Sequence, residues 1–393
     1  MQPLPITAYT LTTALGAGRS TTLAALRDAR SGLAPEPFLD VRLPTWIGAV
    51  AGLDAQPLPS AWNAHDCRNN RLAWLGLQQD GFLGAVDAAR QRWGAARVAV
   101  LLGTSTAGLL ETELGYRRRG AAGELPEDIR YDTRQNTYSV GGFVRHALRL
   151  QGPAFVVATA CSSSAKVFAS AARLIAAGVI DAAVVGGVDS LCLTTLYGFN
   201  ALELLSPEPC RPWDAHRTGL SIGEAAAFAL LERTSDAPLG RLLGAGESND
   251  GYHVSTPHPE GAGAVAAMRA ALDDAGLAAD AIDYVNLHGT ATPSNDVAED
   301  RAVCAVFGTR TPCSSTKGAT GHALGAAGGV EAAICLMALE HGFMPGGLNL
   351  LEPDPALRVN YLRENREARV HAVLSNSFGF GGTNASLVLG SVA

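Results

Sequence analysis

Short apolar runs alternate with alanine-rich amphipathic segments through the middle of the chain, and this alternation sets the fold class. Residues 98–103, 155–158 and 182–187 are apolar runs carrying adjacent or alternating valines, too short for helices and suited to strands. Between them, apolar positions recur at helical spacing over 138–148 and 167–177. In the second of these, Val167, Ala171, Leu174 and Ile175 share one face before Gly178 ends the pattern. Strand, helix, strand, helix, strand predicts a parallel sheet covered by helices, an α/β protein. A second series follows, with helices over 265–275, 298–307 and 325–339 and strands over 282–287, 372–375 and 385–389. The order of elements predicts two similar halves, residues 1–240 and 241–393, although no residue-level repeat is visible. The segment 206–223, carrying Pro207, Pro209, Pro212 and Gly219, predicts an irregular packed loop between them.

Composition narrows the function classes. At 393 residues the chain is long enough for two core-forming halves, and 47% hydrophobic against 17% charged residues describes a compact protein rich in buried strands. A net charge of −7 without a long Lys/Arg block excludes nucleic acid and an anionic membrane as the main partner. Arg117, Arg118 and Arg119 form a local basic cluster, read either as a dock for an acidic partner or as a solvated helix end. Seven scattered cysteines with no C-x-x-C pair predict neither a disulfide framework nor a zinc site. The chain shows no signal-peptide pattern and no apolar stretch judged long enough to span a bilayer, so a cytoplasmic location is expected.

Candidate chemistry sits in small-residue turns at predicted element ends. Cys161, in the run AFVVATACSSS, follows a predicted buried strand and opens a helix, where unpaired backbone N–H groups and the helix dipole favour a thiolate. An inert buried cysteine is the rival reading. His288 stands at the end of the 282–287 strand in NLHGTATPSND, where an α/β sheet places ligands, and a structural histidine is the alternative. Lys317 and His322 share the glycine-rich run SSTKGATGHALGAAGG, which a phosphate-binding loop does not fit because lysine precedes the glycines. SNSFGFGGTN, holding Phe378 and Phe380, can aim a backbone N–H at an oxyanion, or it is a tight turn with packing phenylalanines. One cysteine with distant histidines is the pattern of a covalent enzyme.

TACSSS, RPWDAHRTG, NLHGTATPSND, TKGATGHALGAAG and SNSFGFGGTN, in that order, make the chain resemble the β-ketoacyl-[acyl-carrier-protein] synthases of the type I/II condensing class, in the thiolase superfamily. The resemblance implies a five-layered α-β-α-β-α thiolase fold and a Cys161, His288, His322 active centre. It further implies Lys317 and Glu299 orienting the histidines, the amides of Cys161 and Phe380 as oxyanion hole, and Thr290, Thr292, Phe378 and Phe380 as substrate-binding residues. Thr106, Phe199 and Met344 are candidates for the acyl pocket. An acyl carrier protein is the implied partner, with a homodimer or a heterodimer with a homologous subunit, and no metal or redox cofactor. Two rival classes remain at this point: a non-catalytic chain-length subunit, which typically lacks the cysteine, and a coenzyme A-dependent thiolase, which usually carries a second reactive cysteine near the carboxyl terminus. The run Arg217, Thr218, Gly219, Leu220 departs from the family's usual RDGF.

Overall fold

Ten principal strands and the helices between them repeat one motif twice. The computed structural model describes residues 1–35 and 37–392. The strands are β1 (Leu4–Thr13), β2 (Val98–Gly103), β3 (Ala154–Val157), β4 (Ala182–Asp189) and β5 (Ala225–Glu232), then β6 (Gly240–Asn249), β7 (Tyr284–Asn286), β8 (Pro312–Ser314), β9 (Ala372–Gly379) and β10 (Thr383–Gly390). The first five lie in the order β3-β2-β4-β5-β1 and the second five in the order β8-β7-β9-β10-β6. In both halves the first three of these run parallel and the last two antiparallel. The same strand order and the same directions in each half are the signature of a duplicated unit. The halves join where β1 pairs with β6, Leu4 opposite Leu242.

Helices fill three layers around the sheets. On the outer face of the first half lie α1 (Arg68–Leu77), α2 (Phe82–Trp93) and α3 (Ser139–Ala147). Between the halves lies α4 (Ser163–Ala176), and at the rim stands α5 (Leu193–Ala201). On the outer face of the second half lie α6 (Ala262–Ala275) and α7 (Pro293–Phe307), while α8 (Ala327–His341) joins α4 in the central layer. Three hydrophobic clusters correspond to the three helix layers, which gives the five-layer α-β-α-β-α arrangement.

Several expectations change. β1, β5, β6 and β8 are strands that the apolar pattern did not reveal. β5 reads AAAFALLE, a helix-prone composition, yet every residue is buried between helix layers and long-range pairing overrides propensity. β3 is an edge strand, and Phe155 is 51% exposed, so the strand before Cys161 is not the fully buried element expected. Residues 324–341 are in fact long and apolar enough to cross a bilayer, but 89% of that window is buried, as befits the central helix of a layered core. The 206–223 segment is irregular as expected, with only the short strand Ile222–Gly223.

The central helices approach the strand ends closely because small residues line the contact. A Cβ added to Gly103 would lie 2.2 Å from the backbone nitrogen of Ser164, and one on Gly187 would lie 2.7 Å from the Ser164 side chain. Neither backbone has a flexible side chain to yield. Gly103→Ala is therefore expected to destabilise the fold by about 3 kcal/mol, read as a lower urea midpoint at unchanged slope.

Candidate active site

Cys161 occupies a strained turn between β3 and α4. The helix begins at Ser163 with Ser162 as its N-cap, so the cysteine lies just before the first turn rather than within it. Ala160 holds φ at +51°, a left-handed conformation unfavourable for a residue with a Cβ. Side chains fix this turn: Thr159 N–H donates to Ser163 Oγ at 2.8 Å, and Ser162 Oγ donates to the Thr159 carbonyl at 2.9 Å. The result presents the sulfur to a pocket, as a nucleophile elbow presents a serine.

His322 comes from the other half. Its backbone is clamped to the 221–223 segment, N–H to the Ser221 carbonyl at 2.8 Å and carbonyl to the Gly223 N–H at 3.0 Å. Its Nε2 lies 2.9 Å from Cys161 Sγ. The His288 ring stands edge-on to it, centroids 5.3 Å apart at 83°. Donor atoms of Cys161, His288 and His322 all fall within 4.8 Å of one another, so the three residues that the motifs singled out converge.

Around this trio Glu299 and Lys317 both hold the backbone at His288, whereas the resting charge of Cys161 differs from the expectation. Glu299 does not pair with Lys317: its two oxygens accept the backbone N–H groups of His288 and Gly289 at 2.7 and 2.8 Å, fixing the turn that carries His288. Lys317, fully buried at the start of a short helix (Lys317–Thr320), instead pairs with Glu331 of α8 and donates to the His288 carbonyl. Nor does a resting thiolate appear. Burial pushes the Cys161 thiol up to about 12, opposed by the nearby Lys317 charge. A helix dipole contributes typically about 1 kcal/mol, under one pKa unit, which cannot offset full burial. Burial first and the Lys317 charge second hold His322 well below the ordinary imidazole range; His288 is held down by the same two causes and then by His322. The site at rest is a thiol facing a neutral imidazole, an uncharged acid and base poised to exchange a proton.

A cleft of about 580 Å³ leads to the sulfur. Thr290 and Thr292 line it with their hydroxyls 2.9 Å apart, and Thr292 caps α7. Phe378 lies on β9 with its ring 5.8 Å from that of His288. Phe380 stacks on Phe199 of α5 at 5.5 Å, closing one wall. Gly379 brings that segment against the nucleophile, since a Cβ there would lie 3.2 Å from the Cys161 amide nitrogen. The other two pocket candidates lie elsewhere: Thr106 is hydrogen-bonded to Asp189, and Met344 belongs to the central core. In the departing run, Arg217 is buried and paired with Asp296 and Asp354, whereas Leu220 lines the cleft. Arg117 and Arg118 are paired with Asp40 and Asp128.

Sequence reasoning missed two buried acids at the centre of the site. Glu331 could have been found as the one charge inside the otherwise apolar run 327–339 of the helix. Asp189, at the carboxyl end of β4, had no such signal beyond its position at a strand end.

The comparisons agree with this geometry. Residues 72–237 match the family described as "Beta-ketoacyl synthase, N-terminal domain" and residues 239–351 the family described as "Beta-ketoacyl synthase, C-terminal domain". The chain is 35% identical over 335 residues to 3-oxoacyl-[acyl-carrier-protein] synthase 2 of Coxiella burnetii, covering 78% of this chain and 81% of that protein. It is 34% identical over 385 residues to nodulation protein E of Rhizobium meliloti strain 1021, covering 93% and 94%. Among solved structures it superposes on the ketosynthase of Xenorhabdus doucetiae (ApeO), determined in complex with its chain length factor (ApeC), with a TM-score of 0.91, 38% identity and coverage of 100% and 98%. A β-ketoacyl synthase from Burkholderia phymatum gives a TM-score of 0.88 at 30% identity, covering both chains fully. With the fold, the motifs in their order and a Cys-His-His centre assembled across two duplicated halves, the chain belongs to the β-ketoacyl synthase family of condensing acyltransferases.

Proposed function

We propose that this chain elongates acyl chains on a carrier protein by decarboxylative Claisen condensation, with Cys161 as the acyl-carrying nucleophile. The observation that carries the reading is the 2.9 Å contact between Cys161 Sγ and the neutral His322 ring, with His288 beside it. In the first stage the sulfur attacks the thioester carbonyl of an acyl group delivered on phosphopantetheine through the cleft. His322 Nε2 takes the thiol proton and returns it to the departing pantetheine sulfur, and the amides of Cys161 and Phe380 receive the oxyanion. In the second stage a malonyl thioester loses CO2, the electron pair of the broken C–C bond forms an enolate, and His288 and His322 donate hydrogen bonds to its oxygen. The enolate carbon attacks the acyl-Cys161 carbonyl, the C–S bond to Cys161 breaks, and the released thiolate takes up one proton from solvent. Neutral imidazoles suit the second stage because each then offers an N–H without a competing charge. Thr290 and Thr292 offer hydroxyls to the pantetheine arm. These steps need no metal or redox cofactor.

The same reading extends to partners. Cys161 argues against the non-catalytic chain-length subunit, and SNSFGFGGTN lacks the second cysteine of a thiolase. β3 leaves one row of backbone groups unpaired at the edge of the sheet and exposes Phe155, which suits strand pairing with a second, homologous subunit. The Xenorhabdus ketosynthase was solved in complex with a chain length factor, which supports a partner subunit here. An acyl carrier protein presents both substrates, in fatty-acid synthesis or in a dedicated polyketide or aryl-polyene pathway.

Incubation with malonyl-carrier protein and an acyl primer is expected to yield a β-ketoacyl product, with the primer trapped on Cys161 by mass spectrometry when malonyl-carrier protein is withheld. Cys161→Ala should lose both signals; product formation by that variant at the wild-type rate would overturn the reading. His288→Ala is expected to keep the acyl-enzyme and lose condensation by about 10²–10³-fold, the usual effect of removing one donor to a developing oxyanion.

A pH dependence follows from the same histidines. The unfolded chain protonates them near the ordinary value of 6.5, whereas the native state holds both well below it. The unfolded state therefore binds more protons, and stability falls as pH drops below 6.5, by up to about 1.4 kcal/mol per pH unit for each imidazole. Urea midpoints between pH 7.5 and 5.5 should fall less steeply in a His288→Gln/His322→Gln variant than in the wild type.

A further inference from the structure

Asp189 is a buried carboxylate that no cation among the described residues neutralises by contact, and its hydrogen bonds join the two halves of the active site. It stands at the carboxyl end of β4, next to the end of β2, which leads to residues 104–106; β3, which leads to Cys161, lies on the other side of β2. Five donors converge on it. Thr104 Oγ donates at 2.6 Å and Thr106 Oγ at 2.7 Å, and the backbone N–H groups of Ser105 and Thr106 donate at 2.8 Å each. The fifth donor is the Gly325 N–H, at 2.6 Å from the other carboxylate oxygen.

Gly325 lies three residues beyond His322, and the intervening turn is strained. Leu324 holds φ at +48°, a conformation that a branched side chain resists and that persists only where the surroundings impose it. The Gly325 bond to Asp189 is one such restraint. The contact is also tight, since a Cβ on Gly325 would meet Asp189 Oδ2 and the Ser105 nitrogen, each at 2.8 Å.

We infer that Asp189 is a positioning residue for the condensation: through Gly325 it holds the turn that carries His322, and through residues 104–106 it holds the strand ends beside the nucleophile. It touches no substrate and sets the Sγ to Nε2 contact from behind. Its negative charge also acts on Cys161 together with His288, His322, Lys317 and Glu331, and in this group it favours the thiol, as Glu331 does, against Lys317. The inference rests on the proposed reaction for its kinetic arm. A second arm needs no turnover.

Asp189→Asn keeps the shape, removes the charge and turns one acceptor into a donor facing donors. In condensation assays kcat is expected to fall about tenfold or more while KM for malonyl-carrier protein stays within about twofold, because the cleft itself is untouched. In the second arm, the ultraviolet absorbance of the Cys161 thiolate, with Cys161→Ser as blank, should titrate at a lower pH in Asp189→Asn than in the wild type. A kcat within twofold of wild type together with an unmoved titration would overturn the inference, as would losses in kcat and KM that track the loss in urea midpoint. Should Asp189→Asn fail to fold, Thr106→Val removes one donor and keeps the charge. It is expected to lower kcat about threefold with KM and the thiolate titration unchanged, and an unchanged kcat would overturn the inference. If the wild type gives no condensation, the proposed reaction fails, and the thiolate titration still decides whether Asp189 acts on Cys161.

Discussion

The active centre depends on two helix starts meeting across the middle of the molecule. Cys161 belongs to the first half and His322 to the second, so their 2.9 Å contact exists only while α4 and α8 keep their distance. That distance is set by residues too small to keep them apart. Gly103 and Gly187 let the strand ends reach Ser164, a Cβ on Gly328 would lie 2.8 Å from Ala165, and Ser164 Oγ accepts the Gly329 N–H at 2.8 Å. A duplicated fold supplies this geometry naturally: the equivalent crossover helix of each half packs against its twin, and each brings a loop to the shared centre.

The same burial that aligns the residues dictates how they react. A solvent-exposed Cys-His pair can settle as thiolate and imidazolium, but here burial and the Lys317 charge disfavour the imidazolium while burial disfavours the thiolate. Charge is then created only as bonds change, next to groups already oriented to receive it. The buried ion pair of Lys317 with Glu331 is consistent with this. It costs desolvation, but it fixes a cation at the His288 carbonyl, which adds to the effect of burial in holding both imidazoles neutral.

How much of this was legible in the sequence varies with the kind of signal. β2, β4, β9 and β10 were found because valine and leucine runs bounded by turns announce buried strands, and α4 because its apolar spacing is strict. β5 and β6 were not, since AAAFALLE and GRLLGAGESN have alanine and glycine where strand formers are expected, and their conformation is imposed by neighbouring strands on both sides. Cys161, His288, His322 and Lys317 were legible because each sits in a glycine- or serine-rich turn. The partner of Lys317 was not, because pairing across fourteen residues and two elements depends on which way α8 faces the core. Resting ionisation was also misread, since position before a helix start was visible and depth of burial was not.

The departure from the usual RDGF run is better understood after folding. Its Arg217 keeps a structural task, held between Asp296 and Asp354 behind the turn that carries Thr290 and Thr292, with Asp296 also accepting the Ala291 N–H. Thr218 turns to Ser206, its hydroxyl 3.1 Å away, and only Leu220 reaches the cleft. There it lines the same space as Phe199, Leu204 and Phe380. Variation at Leu220 therefore alters the apolar lining of the cleft beside Phe199 and Phe380, while Arg217 and Thr218 stay engaged in structural contacts.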